Sequence, residues 1–79
     1  MEIKRYDFSG SVYVSEDELK EIAEDFLERE GNDKRWECLN DYIWDFYGDY
    51  DNWEQVIDDI TNDVFEIYKE LTGRENEEE

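Results

Sequence analysis

The chemistry available to this chain is that of carboxylates, and five of them recur at every fourth position of DKRWECLNDYIWDFYGD: Asp33, Glu37, Asp41, Asp45 and Asp49. Such a row can hold a metal ion, move protons, or meet the guanidinium and ammonium groups of another molecule. Proton chemistry lacks its helpers, because there is no histidine, no glycine-rich phosphate loop and no nucleophile set beside a base. The expectation is that the chain is not an enzyme. A calcium loop beginning at Asp49 fails as well, since it puts Glu54 where glycine is needed and Ile60 where a bidentate glutamate is needed. Crowded carboxylates can hold divalent ions loosely as a side effect, but neither a resident metal nor a cofactor is expected.

The third use fits the charge. Against 26 acids stand 8 bases, a formal charge of −18, which exceeds what solubility asks of a small domain. This field repels nucleic acid and anionic membranes and attracts basic surfaces. The expected partner is therefore a basic protein, with no direct nucleic acid and no membrane.

With so many acids, a five-member row arises by chance about one time in four, so the row needs support. Residues 36 to 68 hold ten acids and no Lys or Arg: Glu37, Asp41, Asp45, Asp49, Asp51, Glu54, Asp58, Asp59, Asp63 and Glu66. An ordinary helix surface mixes signs, because Glu and Lys four apart attract. Seven of the ten are Asp, a poorer helix former than Glu with a shorter arm that fixes its carboxylate more tightly. Trp44 falls on the acidic half of its helix, while Phe65 falls off the apolar face of the next. A tryptophan among carboxylates is either an interface anchor or a ring packed under the hairpin or a neighbouring loop. The candidate partner-binding set is Asp33, Glu37, Asp41, Trp44, Asp45, Asp49, Tyr50, Asp51, Glu54, Asp58, Asp59 and Asp63.

These residues need a scaffold, and 79 residues make one small domain that buries only about 60% of its unfolded surface. Thirteen aromatics partly compensate, since each ring buries a large area for few rotatable bonds. The segments EIKRYDF (2 to 8) and VYV (12 to 14) flank a Ser9-Gly10-Ser11 turn and predict a hairpin with Tyr6, Phe8, Val12 and Val14 on its inner face. Ile3 breaks the alternation, so a bulge or a later start is expected. Ser15 with Glu18 has the form of a capping box for a helix over about 16 to 30, stopped by Gly31. Asn32 or Asp33 can cap a second helix, with Trp36, Leu39, Ile43, Phe46 and Tyr47 apolar and Gly48 at its end. Asp51 with Glu54, again in the form of a capping box, opens a third and longest helix, whose narrow apolar face carries Trp53, Val56, Ile57, Ile60, Val64, Ile67, Tyr68 and Leu71 before Gly73.

The predicted class is α+β, a short N-terminal hairpin on three helices, with residues 1 to 73 as the domain and 74 to 79 as a disordered acidic tail. Cys38 has no second cysteine to pair with and is expected to be partly buried at the edge of the second helix's apolar face. No run is apolar enough for a signal peptide or a span, and the expected location is the cytoplasm of a bacterial host cell.

Four like-charged pairs along one helix would destabilise it by about 0.2 to 0.5 kcal/mol each, which calls for a use. Four residues of helix rise about 6 Å, the order of the separation between neighbouring phosphates on a strand whose axial rise is about 3.4 Å. A row of short carboxylates has the spacing of a phosphate strand.

In length, charge and interleaving of aromatics with acids, as in NDYIWDFYGDYDNWEQVIDD, the chain resembles the small acidic nucleic-acid mimics of phages and mobile elements, the anti-CRISPR and anti-restriction inhibitors. That resemblance implies an inhibitor seated in the DNA groove of a CRISPR effector or a restriction enzyme. The shorter stretch DYIWD, Asp41 to Asp45, is similar to the acid-x-aliphatic-Trp-Asp pattern on the inhibitory helix of barstar-type ribonuclease inhibitors, although the later strands of that fold are missing. It implies that Asp41 and Asp45 enter a nuclease's basic site. An acidic module that binds a basic host protein without mimicry stands as the alternative.

Overall fold

The computed structural model describes residues 2–8, 10–50 and 53–73. Alternating side chains form two antiparallel strands, β1 (Ile3–Asp7) and β2 (Ser11–Ser15), in unbroken register from Ile3 opposite Ser15 to Asp7 opposite Ser11. Tyr6 and Val14 are buried, with Phe8 and Val12 half-buried beside them, as the inner face requires. Ile3 does not bulge or delay the strand. It opens β1 and stands exposed on the solvent face, as does Tyr13, because side chains alternate with period two.

Helix α1 (Glu16–Glu30) begins where the Ser15 hydroxyl accepts the Glu18 N–H at 3.1 Å. It ends at Gly31, whose φ of 95° is open to glycine and rare for other residues. Leu19, Ile22, Ala23 and Phe26 form its buried stripe.

Helix α2 (Trp36–Tyr47) starts later than the Asn32 or Asp33 cap predicts, with Arg35 at the cap position and no side-chain cap. The reason lies on the last helix. Tyr68 donates its hydroxyl to the Gly31 carbonyl at 2.5 Å and accepts the Lys34 N–H at 3.1 Å, which holds the connection in a non-helical path. Asp33 and Asp49 therefore flank α2, and only Glu37, Asp41 and Asp45 of the row lie on it. The like-charged pairs within the helix number two, not four.

A 3-10 turn (Trp53–Gln55) precedes α3 (Ile57–Thr72), which has Val56 at its cap position. The predicted capping box fails at Glu54, which belongs to the turn, while Asp51 lies outside the described residues. At 16 residues against 15 and 12, α3 is the longest helix, and it ends at Gly73 in the left-handed region. The expected tail over 74 to 79 also lies outside the described residues. Among those described, no helix is long and apolar enough to cross a membrane.

α3 packs against both α1 and α2, and the hairpin covers α1 through β2. This gives an α+β fold whose core centres on Ile57, Ile60, Val64 and Tyr68 with Leu19, Phe26, Leu39 and Ile43. Three positions depart from the helical wheel. Phe65 is only 8% exposed and stacks on Tyr68, so the packed face of α3 is wider than the narrow stripe of the wheel. Phe46 is 52% exposed, since Tyr47 takes the inner position at the end of α2, and Leu71 is exposed in the last turn of α3. Cys38 is also exposed rather than part of the packing.

Candidate partner-binding surface

Helix ends sort the acids. A helix N-terminus carries partial positive charge and its C-terminus partial negative charge, so Glu37 in the first turn of α2 and Asp58 and Asp59 in that of α3 sit where the fold favours carboxylates. Asp45 occupies the last turn of α2, which holds no base, and Asp49 follows it. The backbone dipole opposes both.

Hydrogen bonds divide the set again. Asn40 donates to Asp58 at 3.0 Å and to the Thr61 hydroxyl at 3.1 Å, and the Trp36 indole N–H donates to Asn62 at 2.8 Å. These bonds close the seam between α2 and α3, so Asp58 has a structural task there. On the hairpin flank, Tyr6 donates to Asp63 at 2.5 Å. Burial first, then this bond and the charges of Asp63 and Asp59, push the Tyr6 phenol above its ordinary range. Glu66 pairs with Lys69 at 3.5 Å, while the other ion pair among the described residues joins Arg5 to Asp7.

Asp41, Asp45 and Asp49 are left exposed, and among the described residues none of them has an ion pair or side-chain hydrogen bond. Asp41 and Asp45 line a shallow cleft with Glu30, Phe26, Cys38 and Tyr42, where α2 faces α1. Arg29 of α1 lies close enough to lower the Tyr42 phenol, though burial and the charges of Asp25 and Glu30 win and raise it. Around the helix, Trp44 is 40% exposed, so it is not buried under the hairpin. Its ring rests beside Gly48, whose added Cβ would lie 3.2 Å from Trp44 Cε3.

The structure thus places Asp41 midway along α2, Trp44 and Asp45 in its C-terminal half, and Asp49 and Tyr50 just past it. Glu37 lies one turn before Asp41 on the same helix, and exposed Asp33 and Glu54 flank the helix in the chain. Asp59 and Asp63 belong to the hairpin flank, Asp58 to the seam, and Asp51 lies outside the described residues.

Sequence reasoning missed Phe46 as a surface residue. The available signal was its place in the last helical turn beside a second aromatic, since only one of two adjacent rings can point inward at a helix end. That inner ring, Tyr47, donates its hydroxyl to Glu18 on α1, and burial followed by this bond raises its phenol well above the ordinary range. Among known proteins, the chain matches no family model, no curated protein and no solved structure.

Proposed function

We propose that this chain is a stoichiometric inhibitor that occupies the cationic groove in which a nuclease holds nucleic acid, with a defence nuclease of CRISPR or restriction type as the first candidate. The observation that carries this reading is the exposed, unpaired trio Asp41, Asp45 and Asp49, of which Asp45 and Asp49 stand where the α2 dipole opposes them, on and beside a helix that carries no base. Charge that the fold does not use, and that weakens the helix bearing it, is available to a partner. A basic groove built for phosphates offers such carboxylates fast, steered association, and its arginines can grip them in bidentate fashion.

The test is competition. The protein is passed over a bacterial lysate at low salt, captured nucleases are eluted with rising salt, and a gel shift then asks whether the chain displaces DNA from each. Displacement that Asp41→Lys with Asp45→Lys abolishes is the expected result. Equal potency of that double variant would remove the site from α2.

The placement of Asp59 and Asp63 beside Tyr6, away from the α2–α3 seam, favours a second reading, an acidic module with a short contact face and no mimicry. Capture of a basic protein whose DNA stays bound would support it.

A further inference from the structure

The end of α2 carries rings as well as acids. Phe46 and Tyr50 are each 52% exposed. Phe46 meets Tyr47 edge-on at 4.9 Å, Tyr47 lies against Trp53 at 4.5 Å, and Tyr50 stands edge-on to Tyr47 at 5.6 Å and to Trp53 at 5.4 Å. Tyr47 is buried and tied to α1 through Glu18, so the two outer rings stand on a fixed base.

The field around them is negative for three reasons: Asp45, Asp49 and the carbonyl end of α2, whose last turn holds no base. A second copy would bring its own charge of −18 against the patch, and an anionic lipid surface would be repelled. A cation suits all of it, because ring faces, carboxylates and helix carbonyls each attract positive charge.

The chain builds this chemistry for itself among the described residues. On α3, Lys69 Nζ lies 5.5 Å from the centre of the Phe65 ring and 3.5 Å from the Glu66 carboxylate. At the end of α2 the rings and acids recur, and among the described residues no base of the chain reaches them.

We infer that Phe46 and Tyr50, with Asp45 and Asp49, receive an arginine side chain of a basic protein partner. A guanidinium fits better than an ammonium, because its plane stacks on rings while its fork of N–H donors binds carboxylates, and it is more weakly hydrated. The inference rests on the proposed reading of a cationic partner and names the side chain that partner offers.

Hexa-arginine and hexa-lysine peptides of equal charge, titrated against the whole chain by calorimetry at one low salt concentration, test it. The arginine peptide is expected to bind more tightly, by up to about 5-fold, since one exposed ring contact supplies that much to a guanidinium and the strongly hydrated ammonium takes only part of it. Phe46→Leu with Tyr50→Leu keeps apolar bulk without ring faces, and should reduce that preference to what the carboxylates alone give, while both peptides still bind in a salt-sensitive way. Equal affinities in the wild type, or a preference undiminished in the leucine variant, would overturn the inference. So would a wild-type dimer in sedimentation that the leucine variant abolishes, since the rings would then cover each other. Circular dichroism checks folding, and Phe46→Leu alone serves if the double variant does not fold. Loss of DNA competition with the arginine preference intact refutes only the inhibitor reading, whereas intact competition with no preference refutes only this inference.

Discussion

The Tyr68 hydroxyl donates to the Gly31 carbonyl oxygen at 2.5 Å, joining α3 to the last turn of α1 and, through its bond from the Lys34 N–H, to the approach of α2. One buried phenol thus decides where α2 can begin. Tyr68→Phe keeps the ring and its stacking but leaves the Gly31 carbonyl and the Lys34 N–H to find other partners. The expected loss is about 1 to 3 kcal/mol in urea unfolding. A loss near zero would mean that water replaces the hydroxyl without penalty.

Tyr6 and Tyr47 make the fold sensitive to alkali. Both phenols are held above the ordinary value of 10.0 by burial first, then by donating to Asp63 and Glu18 respectively. Where the folded value exceeds the unfolded one, the native state binds more protons at high pH, so stability falls as pH rises. Their contribution is complete below about pH 10 and is lost progressively above it. Tyr6→Phe and Tyr47→Phe should each make the melting temperature fall less steeply between pH 9 and 11, about the ordinary phenol range, as thermal scans across that window would reveal.

Local pattern reached much of this fold. The Ser15 cap, the stop at Gly31, the inner face of the hairpin and the Ile57, Ile60, Val64 and Tyr68 part of the α3 stripe all follow from neighbouring residues, and each is where the sequence places it. What it misplaced depends on contacts distant in the chain. The start of α2 is set by Tyr68, more than thirty residues away. Phe65 is buried by the packed core around it, and Phe46 is the exception, turned outward by its own neighbour Tyr47, which takes the inner position. The candidate site was legible as a set of residue types and not as a surface. No wheel shows that Asp63 holds Tyr6 or that Asp58 closes a seam, so the sequence treats ten acids alike where the fold gives several of them structural work.

Gly48 follows α2 for lack of space rather than for a left-handed backbone, since its φ is −62°. A Cβ there would stand 2.4 Å from the Trp44 carbonyl oxygen and 3.2 Å from its ring. The oxygen belongs to the backbone and already accepts the Gly48 N–H at 2.7 Å, so it has little freedom to yield. Gly48→Ala should cost about 1 to 3 kcal/mol, as overpacking does, and should shift the tryptophan emission by moving the exposed Trp44 ring. An unchanged stability with unchanged emission would show that the turn opens freely.

Within α2 the repulsive pairs are Glu37 with Asp41 and Asp41 with Asp45, so a single change at Asp41 relieves both. Each such pair destabilises a helix by about 0.2 to 0.5 kcal/mol, and Asp41→Asn should therefore stabilise the fold by about 0.4 to 1 kcal/mol at low salt. Asn is no better a helix former than Asp, so propensity does not account for the gain. The repulsion acts between solvent-exposed carboxylates and is screened as ionic strength rises. Sodium chloride should accordingly stabilise the wild type more than the variant, and the gap between them should narrow at 1 M, where the screening length is about 3 Å. Urea unfolding at low and high salt measures this directly, because urea, unlike guanidinium, adds no ions. A variant less stable than the wild type at low salt would mean that Asp41 has an attractive partner within the fold, and the charge assigned to a groove would then belong to the protein itself.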